Sequence, residues 1–428
     1  MIYKIATNQD GIHKLTYDFL RNDLGISDLD NINPNSIRLY GNGGGKLPSK
    51  INDDRYDDLV ENAIYISGDG DGSFNQNDFI LFYAEESDKT KLNPTTNRFR
   101  KEKNVFDSNN YYFIKITTGN GIRLTDSPNL SGATYSTSTF NDFATYEEDQ
   151  YNLLNDFTYT SGSGQQWFGD KFGGAATENT YNFDFPNIVT SEQVEMEVQL
   201  AGRKNGSSSS ASDRTYFYAS TQGQNFTSTG INATNTGDVE RRYAYEGRID
   251  ETFIPNSSNL STTITYNAPG AEGWLNFINF NFKANLNLLQ GKNLIFRDLN
   301  SVGQSISEFQ ISGVNNNVEV WNITNPLTPT RQQSNISGSN LSFSTNTINL
   351  EEFICFDKTA TFPTPLALGS LANQNLHNID NVDGILIYHK DFETSALQLA
   401  EHRLQHSNIK LAVAEISQVY NEFSSGSQ

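Results

Sequence analysis

The sequence predicts a mostly β protein: two β-sandwich-like domains, followed by the opening of an α/β domain. Three observations predict it. Phe (28) and Tyr (20) far outnumber Trp (3) and Met (2), an aromatic set suited to strands. Short runs of alternating apolar and polar residues, separated by Gly-, Asn- and Ser-rich turns, fill the first 360 or so positions. After Pro363 the pattern changes to strand, helix, strand, helix.

Residues 1 to about 120 read as the first β domain. Tyr3, Ile5 and Thr7 alternate with Ile2, Lys4 and Ala6, Asp10-Gly11 supplies a turn, and Ile12 to Tyr17 is the returning strand. Asp18 to Leu24 is expected to be a short helix closed by Gly25. Strands are expected at Ser36 to Tyr40, Ala63 to Ser67, Phe79 to Tyr83 and Tyr111 to Ile116. Residues 121–145, rich in Ser, Thr and Gly, read as a linker or edge segment.

Residues 146–362 read as a second, jelly-roll-like sandwich. Val194 to Leu200 alternates cleanly, so one face should be buried and the other wet; Arg214 to Ser220 and Trp274 to Phe282 repeat the pattern with aromatics. Residues 363–428 form a connector and an α/β opening. Ile385 to Tyr388 and Lys410 to Ile416 are apolar runs of the kind found in parallel sheets. Asp391 is the expected cap of a helix in which Leu397, Ala400, Glu401 and Leu404 share a face, and Ser417 to Phe423 starts a second helix. Two such doubly buried strands need neighbours, so the sequence is expected to stop inside a domain.

Acidic residues exceed basic ones by 50 to 30, a formal charge of −20 that disfavours nucleic acid as a partner. The single cysteine, Cys355, rules out a disulfide framework within the chain, and its apolar flanks mark it as a small buried hydrophobe rather than a nucleophile. No run approaches the roughly 20 apolar residues of a membrane span. Met1 to Ile5 runs straight into strand-like sequence with no secretory leader, so the chain is either cytosolic or without its natural start.

The sharpest local motif is the run from Ser67 to Asp78. Set on the EF-hand loop pattern, it places Asp69 and Asp71 at positions 3 and 5, Gly72 at the sharp turn, Phe74 at the apolar position, Asn75 at 9 and Asp78 at 12. Ser67 stands at position 1, where Asp is usual, and the flanks read as strands. Ser67, Asp69, Asp71, Asn75 and Asp78 are thus candidate calcium ligands, against a polar hairpin loop as the alternative. Gly41 to Lys46 lacks the spacing of a phosphate-binding loop and reads as a turn. His13, His377, His389, His402 and His406 have no thiol or acid arranged nearby in sequence and read as surface or helix-face residues. No catalytic residue is assigned.

The last segment resembles the start of the catalytic domain of gingipain-type cysteine peptidases. The residues that carry this are Asp383 to Phe392, Leu399 to Arg403 and, most specifically, Val419-Tyr420-Asn421-Glu422-Phe423-Ser424-Ser425-Gly426. Ile37 to Gly44, Asp57 to Ile64, Gln166 to Gly169, Phe296 to Asp298 and Val320 to Thr324 extend the likeness over nearly the whole chain. The resemblance implies a caspase-like catalytic fold using a Cys nucleophile and a His base. For the sortase-type members that serve type IX secretion, it implies removal of C-terminal sorting domains from exported cargo at the outer-membrane surface. Both catalytic residues lie, in the family, beyond the position matching Gln428. This chain is therefore expected to be inactive alone. Its expected partners are its own downstream peptidase domain, cargo proteins and outer-membrane secretion components. A non-enzymatic adhesin or carbohydrate-binding protein is the alternative, with Trp167, Trp274 and Trp321 as candidate sugar platforms.

Overall fold

The first strand, Ile2–Thr7, sits inside an antiparallel sheet rather than at its edge. In this computed structural model, which describes residues 2–68, 70–153, 166–174, 177–238 and 240–428, the sheet order is Leu366–Leu371, Ile2–Thr7, Asn110–Ile116, Ile37–Tyr40, Glu61–Asn62. Leu366–Leu371 comes from the connector, so the chain returns to its own beginning after more than 350 residues. The register slips once, between Lys4 and Ile5, and Gly369, opposite Lys4, takes φ +88° there.

A smaller sheet of Gly11–Thr16, Phe79–Ala84 and Tyr65–Ser67 accompanies this one. The first domain's core joins Ile5, Leu15, Leu39, Ile80, Phe82 and Tyr112, with residues from the helical turn after Thr16. That turn, Phe19–Asp23, is a π-helix in which Leu24 N donates to Phe19 O, and Gly25 follows at φ +73°.

Two sandwiches follow. In the first, Thr139–Glu147, Ala271–Asn285, Val194–Lys204 and Tyr245–Phe253 form one sheet in that order. It faces Glu178–Tyr181, Thr262–Thr265, Tyr218–Thr221 and Gln224–Thr227. Phe172 against Phe217 and Phe226 against Phe253 join the two layers. In the second, Thr125–Ser127, Thr330–Gln332, Val318–Asn322, Glu352–Asp357 and Leu294–Arg297 face Tyr135–Thr137, Gln304–Ser312, Asn340–Thr347 and Asn335–Ser337. Phe296, Phe309, Phe343 and Phe353 make its aromatic centre, with ring centroids 5.1–6.3 Å apart. Phe140 touches Phe296, so the two cores are continuous. The stretch 121–145 runs as edge strands of these sheets, which explains its Ser and Thr content.

The strand Ala271–Asn285 departs from the expected alternation. Its outward residues Asn279 and Asn281 are buried. The hairpin of Lys89–Asn93 and Arg98–Glu102 lies over them: Phe99 N donates to Asn281 Oδ1 at 2.7 Å, and Phe99 O accepts from Asn279 and Asn281 side chains at 2.9 and 3.0 Å. The first domain also packs Ile12, Leu81 and Tyr83 against Trp321, Ile354 and Phe356 of the second sandwich. Beyond these layers, Gly384–Tyr388 and Leu411–Glu415 form a two-stranded parallel sheet with helices α1 (Glu393–Ser407) and α2 (Ile416–Phe423). The sequence reading is met here in element type and order. Asp391 is not the cap. Phe392 occupies the N-cap of α1, and Asp391 lies in the turn Lys390–Phe392, where its backbone N–H donates to His389 Nδ1 at 3.4 Å.

Candidate functional site

The acidic loop lies between Tyr65–Ser67 and Phe79–Ala84, whose pairing brings Ser67 opposite Phe79. Gly68 and Gly72 both take positive φ, +85° and +80°, and a Cβ on Gly68 would overlap the Asp78 carboxylate. Phe74 pins the loop: it is fully buried and stacks on Tyr17 at 6.5 Å. The polar atoms bond one another. Asp71 accepts from Ser73 N at 2.9 Å and Asn75 Nδ2 at 3.0 Å, and Asp78 Oδ2 accepts from Asn75 N at 2.7 Å. Asp69 lies outside the described residues. Among the described residues, no three His, Cys, Asp or Glu side chains are placed to hold a metal ion.

The glycine-rich turn has its amides occupied. Gly44 N donates to Glu85 Oε2 at 2.9 Å and Gly45 N to Ser87 O at 2.9 Å. A carboxylate thus stands where a phosphate would have to sit. Cys355 is fully buried in the second sandwich, opposite Leu294 and Val320, and burial pushes its thiol far above the ordinary range. His13 is not a surface residue. It is buried against Phe82, with Nδ1 3.2 Å from Gly11 O, and burial lowers its pKa to about 4. His402 and His406 lie exposed on α1 with their rings tilted against each other, centroids 4.4 Å apart. Of the candidate sugar platforms, Trp274 and Trp321 are core residues, while Trp167 is 38% exposed.

A polar constellation lies where α2 and the residues after it meet the first sheet. Lys4, on the first strand, donates to Asn421 Oδ1 at 2.9 Å and Gly426 O at 3.2 Å, with its ammonium 4.0 Å over the Tyr111 ring. Burial lowers the Lys4 pKa to about 8, against the attraction of Asp107. Asn42 N donates to Ser425 Oγ at 3.2 Å. A Cβ at Gly426, which has φ +89°, would come within 2.7 Å of Lys4 Nζ.

Glu422 is buried beside this contact and is fully engaged. It accepts from Gln374 Nε2 at 3.0 Å, from His377 N at 2.9 Å and from His377 Nδ1 at 2.7 Å. Burial pushes the carboxyl up, yet the hydrogen bonds from Gln374, Leu376 N and His377 hold it below its ordinary value. Sequence reasoning singled out Tyr420-Asn421-Glu422-Phe423 as distinctive but gave these residues no role. The one legible signal is two adjacent polar residues in a short amphipathic helix; their partners are more than forty residues away or at the other end of the chain.

Residues 377–428 match the model of Peptidase family C25. No curated protein matches the chain. Among solved structures, dimeric latent PorU from Porphyromonas gingivalis superposes with a TM-score of 0.81 at 20% identity, over 100% of this chain and 38% of that one. The C-terminal CBM6 of LamC from Zobellia galactanivorans gives a TM-score of 0.18 at 13% identity, over 32% of this chain and 98% of that one, too low to carry an argument. The insecticidal delta-endotoxin Cry8Ea1 from Bacillus thuringiensis is no closer, with a TM-score of 0.20 at 10% identity over 57% and 41%. This chain therefore has the fold of 38% of PorU and bears, from His377 onward, the sequence pattern of peptidase family C25.

Proposed function

We propose that this chain is the β-rich front portion of a cell-surface, gingipain-type cysteine peptidase of the sortase kind, which cleaves C-terminal sorting domains from type IX secretion cargo. The observation that carries the reading is the unit from Gly384 to Phe423. It is a parallel strand–helix–strand–helix, matches peptidase family C25, and is clamped to the first β-sheet through Lys4, Asn421 and Gly426. Parallel strands of this kind are normally covered on both faces. Here Ile385 and Ile387 are 64% and 50% exposed, which fits further strands and helices of a peptidase domain packing on them.

In this reading the nucleophilic thiolate and its histidine base belong to that further domain. The β layers hold the catalytic domain against the first sheet and offer surface for cargo and secretion components. Cys355 takes no part, because a thiol sealed in an apolar core can neither ionise nor reach a substrate. The test is the reading frame after the codon for Gln428. It is expected to encode a histidine in a Gly-His-Gly-like setting and a cysteine at a strand end. A stop codon there, or a few hundred codons with neither residue, would sink the proposal. The chain as given is expected to show no peptidase turnover.

A further inference from the structure

His377 opens the segment that matches peptidase family C25, and its ring is held between two different parts of the molecule. Nδ1 lies 2.7 Å from Glu422 Oε1 on α2, and Nε2 lies 3.0 Å from the Asp57 backbone oxygen in the loop that follows the glycine turn. The imidazole also packs on Phe423 at 4.4 Å. Both nitrogens thus face acceptors. A neutral imidazole has one N–H and one lone pair, so it can satisfy only one of them and must set its lone pair against the other. The imidazolium donates to both. We infer that His377 is a proton-operated clamp, which fastens α2 and the chain after it to the first β domain when protonated and loosens that contact when neutral.

The charged groups facing the ring are Glu422 from α2, and Asp57 and Asp58 from the loop; Gln374, from the connector, is neutral and already bound to Glu422. The carboxylates favour the cation, and the hydrogen bond to Glu422 raises the His377 pKa above 6.5, helped by its attraction and opposed by desolvation. The sign follows from a folded-state value above the unfolded one. The clamp's contribution is complete below 6.5 and is lost as pH rises through the raised value. Lys4, on the first strand, bonds Asn421 of the same helix and titrates separately, at about 8.

This inference concerns only how the segment sits on the sheet and does not rest on peptidase activity. Histidine C2–H resonances are followed by NMR from pH 5 to 9 in the intact chain, with His377 assigned by its loss in His377→Gln. In parallel, hydrogen exchange of the 416–426 amides is measured at each pH and corrected for intrinsic rates. His377 is expected to titrate above 6.5, and protection of α2 is expected to fall several-fold through that transition in the wild type; in His377→Gln this fall is expected to be missing, leaving only the pH dependence contributed by Lys4 at about 8. A midpoint at or below 6.5 would overturn the inference, as would equal pH dependence of protection in both proteins.

Discussion

At the scale of single residues, burial decides between the roles a side chain could play. Cys355 and His13 both carry reactive groups, and both are spent on packing. In the acidic loop the decisive residue is Phe74, which fixes the turn from inside and leaves the carboxylates to choose their own partners. Asp71 spends both oxygens on loop donors, as an Asx-type turn does. We keep calcium as a proposal for Ser67, Asp69, Asp71, Asn75 and Asp78, because a hard cation would replace those weak donors with a stronger charge. Thermal unfolding with excess calcium and with chelator then separates the roles. The calcium reading expects a higher midpoint with the ion, abolished in Asp71→Ala. An unchanged midpoint in the wild type leaves the loop as a turn and nothing more.

Single elements show where pattern reading succeeds and where long-range contact overrides it. Val194 to Leu200 was legible because one face of that strand meets the core and the other stays half-exposed, as its alternation says. The asparagines of Ala271–Asn285 looked just as wet, yet a hairpin from the first domain covers them. Nothing within that strand announces a partner some 180 positions earlier. The same holds for Leu366–Leu371, whose short mixed sequence gives no sign that it pairs with the first strand. The hairpin contact yields a specific expectation. Asn281→Ala removes the acceptor for the buried Phe99 N–H, so it should cost about 1–3 kcal/mol by denaturant unfolding. Asn281→Asp keeps an acceptor but buries a charge beside the backbone oxygen of Phe99, so it should be worse than Ala. A loss under about 0.5 kcal/mol in Asn281→Ala, the range of ordinary surface substitutions, would mean the hairpin does not sit on the sheet.

For the whole molecule, the sequence revealed the fold class and the switch to α/β grammar, because both are written in local periodicity. It did not reveal the seat of the C-terminal unit, which depends on Lys4, Asn42, Gln374 and His377 converging from separate regions. Nor did it show which face of α1 points inward. The stripe Leu397, Ala400, Glu401, Leu404 forms a helix as expected, but Leu397 and Leu404 are 52% and 46% exposed, and Ala396 is the buried residue of α1. With Ile385 and Ile387 exposed on the adjoining strand, this unit carries several exposed apolar side chains on an otherwise acidic molecule. Such side chains should bind the dye ANS in the fully folded protein. The double change Leu397→Glu and Leu404→Glu should then cut that fluorescence severalfold. The unfolding midpoint should move little, because neither side chain loses buried contacts. If the dye signal persists unchanged while the fold is intact, these side chains do not bind the dye. A fall in unfolding free energy of several kcal/mol would instead show that both leucines are already buried in solution.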